Sequence, residues 1–283
     1  MSQVEAELMK TGGFPYVIPM LLLSVAFFAT PLAVLVGYSF TGSQGPTLAN
    51  YGQFFGDAFN FRVLVNTARL GLETVAATTL LGVPIALLYW HSGKTARQVI
   101  IFLTLVPMLT SNVVRTFSWI VILGRQGPIS ETLLGLGLIG RPMSLMFTEL
   151  GLVMAMCQID LPLIILPLVA ILSRTPVQYT EAAQVSGAGP WRIFVTVLIP
   201  LMLPGLLAGW ILVFASTSSS FVTQAVIGGA RNVYVPQLIY REVGTLFDWP
   251  LASAIAVVLL LSTGCLLVAM TMISRHRRLV GHG

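Results

Sequence analysis

The sequence predicts an all-α, polytopic membrane protein with six transmembrane helices and a loop of short helices between the fourth and the fifth. Three observations predict it. Of 283 residues, 56% are hydrophobic and 9% charged, where average soluble chains carry about 25% charge. The mean hydropathy is +0.89. Apolar runs of the roughly 20 residues needed to cross a bilayer recur along the chain.

The net charge of +5 would suit nucleic acid, but the basic residues scatter over loop ends and one tail. They read as topology determinants, and no nucleic-acid partner is expected. Cys157 and Cys265 both fall inside predicted spans, where they act as small hydrophobes and build no disulfide framework. The N-terminus, with Glu5, Glu7 and Lys10 ahead of a long apolar stretch, does not read as a cleavable signal peptide.

The first span covers residues 14–38, with Pro19 and Pro31 as possible kinks. A Gly- and aromatic-rich loop follows to about residue 66, long enough for a short helix. Residues 67–90 form the second span, with Arg69 and Glu73 in its outer third. A basic turn (91–97) leads to the third span, 98–123, interrupted by Thr110, Ser111, Asn112 and Arg115. Residues 125–147 are a Gly-rich connection holding an amphipathic piece at 129–138. The fourth span, 148–172, includes Asp160, Pro162 and Pro167. Span five, 201–227, carries the run Ser216, Thr217, Ser218, Ser219 and Ser220, and span six, 251–273, is uncharged. The chain thus divides into an N-terminal segment (1–13), a six-helix transmembrane domain (14–273, with the loop 174–200) and a basic tail (274–283).

Six spans put both termini on one side. Lys10, Lys94, Arg97, Arg174, Arg192, Arg275, Arg277 and Arg278 on that side outnumber Arg62, Arg125, Arg141, Arg231 and Arg241 on the other. The positive-inside rule therefore places both termini, and the loop around Glu181, in the cytoplasm of a plasma-membrane protein.

Each ionisable group inside a bilayer costs about 2.5–3.5 kcal/mol on insertion scales, so it needs a partner or a wet cavity. Arg115 lies about 13 Å from the outer end of the third span at 1.5 Å per residue, and Asp160 is read at a similar depth in the fourth. They are expected to face the bundle interior and to pair. Two roles are open to them: an ion pair that fixes packing, or the wall of a translocation path. Arg69 and Glu73, four residues apart on one helix face, are expected to satisfy each other. Asn112, Arg115 and Trp119 share a face and combine a donor, a cation and a ring. The hydroxyl run from Ser216 to Ser220 puts polar atoms on every face, so a cavity is expected on at least one side.

Catalytic chemistry finds no support. His91, His276 and His282 have no metal-ligand spacing, no Gly-rich phosphate loop of the G-x-x-x-x-G-K-[ST] kind occurs, and Asp160 is the single Asp within a span, so no aspartyl dyad is possible. No cofactor is expected on this chain, and any ATP hydrolysis, with its magnesium, must belong to another.

The loop carries the strongest signal. Thr175, Pro176 and Gln178 read as a cap, first residue and capping-box partner of a helix over 176–186. Gly187 can end it in a left-handed conformation. Gly189 and Pro190 start a second helix, which Pro200 and Pro204 are expected to kink or delimit. Ala182, Ala183, Gly187 and Ala188 leave little side-chain bulk, so another protein can approach the backbone closely, and Glu181 is the acidic residue placed to be read. At Glu181, Ala182, Ala183, Gly187, Val197, Ile199 and Pro200 the chain resembles the permease subunits of binding-protein-dependent, type I ABC importers, whose loop reads E-A-A, three residues, G, nine residues, I-x-L-P. That resemblance implies coupling helices that dock into a groove on a cytosolic ATPase dimer. It also implies a second permease subunit, homologous or identical, and a periplasmic or lipid-anchored substrate-binding protein.

Further stretches, among them Val106-Pro107, Thr110-Ser111, the run from Val114 to Trp119, Gly228-Gly229 and Asp248-Trp249-Pro250, resemble spermidine/putrescine-type permeases. Those permeases usually carry acidic residues where this chain has Ser220 and Ala225, which weakens attraction for a polycation. The expected solute is small and polar, a polyamine, with an opine or an aminophosphonate as alternatives. A stand-alone secondary transporter is the rival class, but the paired half-helix signature of inverted repeats is missing. On this reading Arg115, Trp119, Asp160, Asn112, Ser216 and Ser220 line the solute path, while Glu181, Ala182, Ala183, Gly187 and Pro200 couple it to the ATPase.

Overall fold

The computed structural model describes residues 14–42, 45–229 and 232–280, with side chains described from Ile18 to Met272. Glu5, Glu7, Lys10, Arg231 and His282 lie outside the described residues, as do the side chains of Arg275, His276, Arg277 and Arg278. The chain splits into two compact units, one of residues 1–57 and 239–258, the other of residues 58–238 and 259–283.

In the first unit, α1 (Phe14–Ser39) is apolar along its whole length and its span is unburied, as a helix facing lipid requires. A two-residue antiparallel ribbon (β1, Thr41–Gly42; β2, Gly45–Pro46) turns the chain into α2 (Ala49–Gly56). Asn50 Nδ2 donates to the carbonyls of Ser39 (3.0 Å) and Thr41 (3.1 Å), satisfying backbone that the end of α1 leaves open.

The second unit holds the loop and the polar spans. Its α3 (Ala58–His91) is 34 residues long and starts before residue 67, because the stretch 58–66 holds no Gly or Pro to stop it. The third span is not continuous. α4 (Lys94–Leu105) tightens into a 3₁₀ turn, Val106–Leu109, and the segment Asn112–Gly135, which opens with α5 (Asn112–Leu123), leaves at 99°. Pro107 lacks an N–H, and Ser111, extended at ψ 138°, caps the new helix by accepting from the Val113 N–H at 3.3 Å. The amphipathic piece is α6 (Pro128–Gly135). α7 (Glu149–Leu172) is capped by Thr148, whose hydroxyl accepts from the Gly151 N–H at 3.1 Å.

After α8 (Gln178–Val185), α9 runs without a stop over Pro190–Ser219. Pro200 and Pro204 therefore do not delimit it. A π-turn, Phe194–Leu198, widens the helix directly before Pro200, with the Ile199 N–H reaching back to the Phe194 carbonyl. This absorbs the ring that would otherwise press on the preceding turn. The expected fifth span instead breaks at Ser220 (φ −77°, ψ 90°), and the chain goes on as α10 (Phe221–Thr223) and a π-turn, Gln224–Gly228. Then follow α11 (Val235–Arg241) and α12 (Trp249–Val280), the latter longer than the expected 251–273. Among the described residues, five helices are long and apolar enough to cross a membrane, or six when the bent pair is one span.

The core of this unit is the packing of α3, α7 and α9. Trp90, Ile164, Ile165, Leu168, Leu172, Met202 and Phe214 form one buried cluster. Small residues let the backbones close on Ile164: a Cβ at Gly82 would lie 2.6 Å from its Cγ2, and one at Gly209 would lie 2.7 Å from its Cγ1. Close small-residue contact of this kind drives helix association where lipid removes the hydrophobic incentive. A second cluster joins Leu70, Leu123, Leu152, Met156, Ile227 and Tyr234.

Candidate functional site: a coupling hairpin and an intramembrane polar network

The loop between the fourth and fifth spans folds as a helical hairpin. Thr175 does not cap it. Residues 173–175 still continue the turn of α7, and the Thr175 hydroxyl folds back to donate to the Ile171 carbonyl at 3.0 Å. α8 consequently starts at Gln178, with no side-chain cap. Its other end follows the sequence. Gly187 is left-handed at φ 80°, its N–H donates to the Gln184 carbonyl (2.9 Å), and the Ala188 N–H donates to the Ala183 carbonyl (3.0 Å). These two bonds are the Schellman arrangement that a C-terminal glycine makes possible. Gly189 is extended, and Pro190 opens α9.

The hairpin presents an open surface. Glu181, Ala182 and Gly187 are exposed, Ala183 is half-buried, and nothing lies within 4 Å of where a Cβ on Gly187 would sit. Beside them, Val185 is 90% and Trp191 74% exposed, while Thr180 and Ile193 anchor the base. Pro200 lies exposed on α9, past the π-turn. Trp90 Nε1 donates to the Thr175 carbonyl at 3.2 Å and ties the hairpin entry to the end of α3.

Inside the bundle the expected path residues separate into groups. Asp160 is 2% exposed. Its carboxylate accepts from Ser216 Oγ and Thr217 Oγ1, both at 2.8 Å, and so pins α7 to α9. Arg115 does not form the expected ion pair with it. One guanidinium nitrogen, Nη1, donates to the Ile159 carbonyl at 3.3 Å, and Nε is buried without a partner among the described residues. The hydroxyls next to Asp160 reach the carboxylate directly, so each of its oxygens has one local donor.

Arg115 and Trp119 instead share a cavity of about 270 Å³ with Thr110, Ser118 and Gln158, Trp119 Nε1 donating to Gln158 Oε1 at 3.1 Å. Asn112 stays exposed; its carbonyl accepts from Thr116. Of the hydroxyl run, Ser219 bonds back to its own helix, Ser218 Oγ is buried without a partner among the described residues, and Ser220 is the break.

Three residues that sequence reasoning passed over matter here. Gln224 Nε2 donates at 2.8 Å to the Thr217 carbonyl, which also accepts from the Ser220 N–H at 3.3 Å, and so fastens the chain across the break at Ser220. Thr116 and Thr223 join hydroxyls at 2.9 Å, linking the two segments that follow helix breaks, α5 and α10. An amide within an otherwise apolar run was the available signal for Gln224; the Thr pair, on separate spans, offered none.

Nearer the end of the bundle, Arg69 bonds Glu73 at 2.7 Å, as expected, and also reaches Glu149 on α7 at 3.2 Å. Two carboxylates thus share one guanidinium. Burial pushes the neighbouring Tyr234 phenol up to about 12, and the charges of Glu149 and Glu73 add to it against Arg69.

Membrane-length helices, two of them broken beside buried polar groups, with an open helical hairpin between two spans, suit the membrane subunit of a transporter. The chain belongs to the family described as binding-protein-dependent transport system inner membrane component, whose profile matches residues 78–279. It is 29% identical over 258 residues to the spermidine/putrescine transport system permease protein PotB of Escherichia coli K12, covering 89% of this chain and 94% of that one. It is 28% identical over 255 residues to the putative 2-aminoethylphosphonate transport system permease protein PhnU of Salmonella typhimurium LT2, 87% of each chain. In fold it matches a chain of a bacterial alginate ABC transporter solved with an alginate-bound periplasmic protein, with TM-score 0.75, 15% identity and 97% and 98% of the two chains covered. It is a multi-pass inner-membrane transport subunit of the ABC importer class rather than an enzyme.

Proposed function

We propose that this chain forms half of the translocation path of an ATP-driven importer, both termini cytoplasmic, and that the α8–α9 hairpin receives the power stroke. A cytosolic ATPase dimer, holding the ATP and magnesium that this chain does not, grips Glu181, Ala182, Ala183 and Gly187; nucleotide binding moves the hairpin, and α9, continuous from Pro190 into the bundle, carries the motion to the membrane interior. A second permease, homologous or identical, encloses the path, and a periplasmic or lipid-anchored binding protein delivers the solute. The observation that supports this most is the Schellman turn at Gly187, which holds an open small-residue surface between two spans. Gly187→Val tests it: a β-branched residue at φ 80° is strained by about 1–2 kcal/mol, so uptake should fall while the protein still reaches the membrane. Full ATP-driven uptake by that variant would reject the coupling role.

For the solute, a polyamine is favoured by the likeness to PotB and by the Arg69, Glu73 and Glu149 group, which carries one net negative charge if all three are ionised. One observation favours a second reading, an aminophosphonate. The Arg115 cavity has a guanidinium and no carboxylate among its lining residues, and PhnU is a relative of similar coverage. Of the residues expected on the path, Arg115 and Trp119 line this cavity and face the solute on either reading, while Asp160 and Ser216 brace the helices behind them. Competition of labelled putrescine uptake by 2-aminoethylphosphonate, in cells expressing the full transporter, separates the two.

A further inference from the structure

A cavity of about 640 Å³ lies where α3 ends and α4 begins, outside both the hairpin and the polar network. One end is polar, with Ser92, Lys94 and Arg97; the other, along α4, is apolar, with Ile101, Phe102 and Leu105. No carboxylate is among its lining residues. Arg97 is held in place: Nε donates to the Tyr89 carbonyl at 3.1 Å, Nη2 donates to the Trp90 carbonyl at 2.7 Å, and the guanidinium carbon lies 5.4 Å from the Tyr89 ring centre. The cation is therefore preorganised at the mouth. Lys94 is exposed beside it, and Phe102 is 65% exposed on the apolar wall.

From Lys94 to Leu105 the wall is about 17 Å long at 1.5 Å per residue, and its polarity changes once along that length. This amphipathic order lies at the junction of a membrane-crossing helix and an extramembrane turn. We infer that the cavity is a binding site for an acidic phospholipid of the surrounding bilayer, with its phosphate between Lys94 and Arg97 and an acyl chain against Ile101, Phe102 and Leu105. Charge complementarity at the mouth and the apolar wall select a lipid over a free anion, which would use the mouth alone. The bound lipid sits beside the Trp90 contact to the hairpin entry and braces that corner.

The test is native mass spectrometry of the purified, assembled transporter in micelles carrying phosphatidylglycerol or phosphatidylcholine. Phosphatidylglycerol should be retained in preference. Lys94→Gln should lower its retention about fivefold, the effect of removing one cation from an anionic surface, and Lys94→Arg should keep it. Equal retention of the two lipids, or an unchanged Lys94→Gln, overturns the site. Displacement of the lipid by inorganic phosphate also overturns it, by showing that the site reads a free anion. So does cross-linking of a cysteine at Phe102 to another subunit, since a protein would then cover the wall.

Discussion

Asp160 shows how a carboxyl group is held inside the bundle by hydroxyls rather than by a direct ion pair. Two hydroxyls on α9 occupy its oxygens at 2.8 Å, and each hydrogen bond to an ionised group is worth about 1.5–3 kcal/mol. Asp160→Ala leaves both hydroxyls unpaired and should lower the melting temperature of the purified protein, whereas Asp160→Asn retains an acceptor and should cost less. If Asp160→Ala melts like the wild type, the bracing role is wrong. Gly187 makes the complementary case. Its Cβ would meet nothing, so a substitution there acts through φ alone, and Asn, which tolerates the left-handed region, should preserve more uptake than Val. Equal loss in Gly187→Asn and Gly187→Val would show that surface shape, not backbone conformation, is what matters. The glycine's role was legible in the sequence, since Gly187 and the Gly189-Pro190 pair punctuate the loop in the order a helical hairpin needs. The partner of Asp160 was not, because which side chain meets it depends on the rotation of α7 against α9, set by Gly82 and Gly209 closing on Ile164.

Among the elements, those bounded by strong local signals fall where the sequence puts them. α7 starts at the Thr148 cap and ends at Leu172, as expected for the fourth span, while α6 starts at Pro128, one residue before the expected 129, and stops at Gly135, short of the expected 138. Prolines misled where a neighbouring turn absorbs them, as the π-turn does before Pro200. The breaks in the third and fifth spans were only half visible: Thr110, Ser111 and Ser220 mark them, but the 99° bend and the Thr116–Thr223 link are tertiary. That link makes a prediction. Replacing both threonines by Val removes the pair without leaving either hydroxyl unsatisfied, so folding should survive while α5 and α10 lose their register. Transport should fall more than stability, as read by uptake against thermal melting; unchanged uptake would mean the link is dispensable. Gly209→Leu, by contrast, drives a side chain into Ile164 and should destabilise by about 1–3 kcal/mol, seen as reduced yield of folded protein.

At the scale of the whole molecule, the few charges whose side chains the structure describes fall into distinct settings. Asp160 is bonded to hydroxyls and Glu73 and Glu149 to Arg69, Glu131 and Glu181 are exposed, and the cations Lys94 and Arg97 gather at the turn between α3 and α4. The six-span expectation is met by five helices and one bent pair. The open end of the hairpin, with Val185 and Trp191 bare beside Glu181, is a surface in want of a partner on the side to which the basic loops assign it. The most direct test is a cysteine at Val185 in the assembled transporter, cross-linked to the ATPase with and without ATP. The account predicts a cross-link whose yield changes with nucleotide, and labelling of that cysteine only from the cytoplasmic side. Labelling from outside the cell, or no cross-link in either state while uptake is intact, would contradict it.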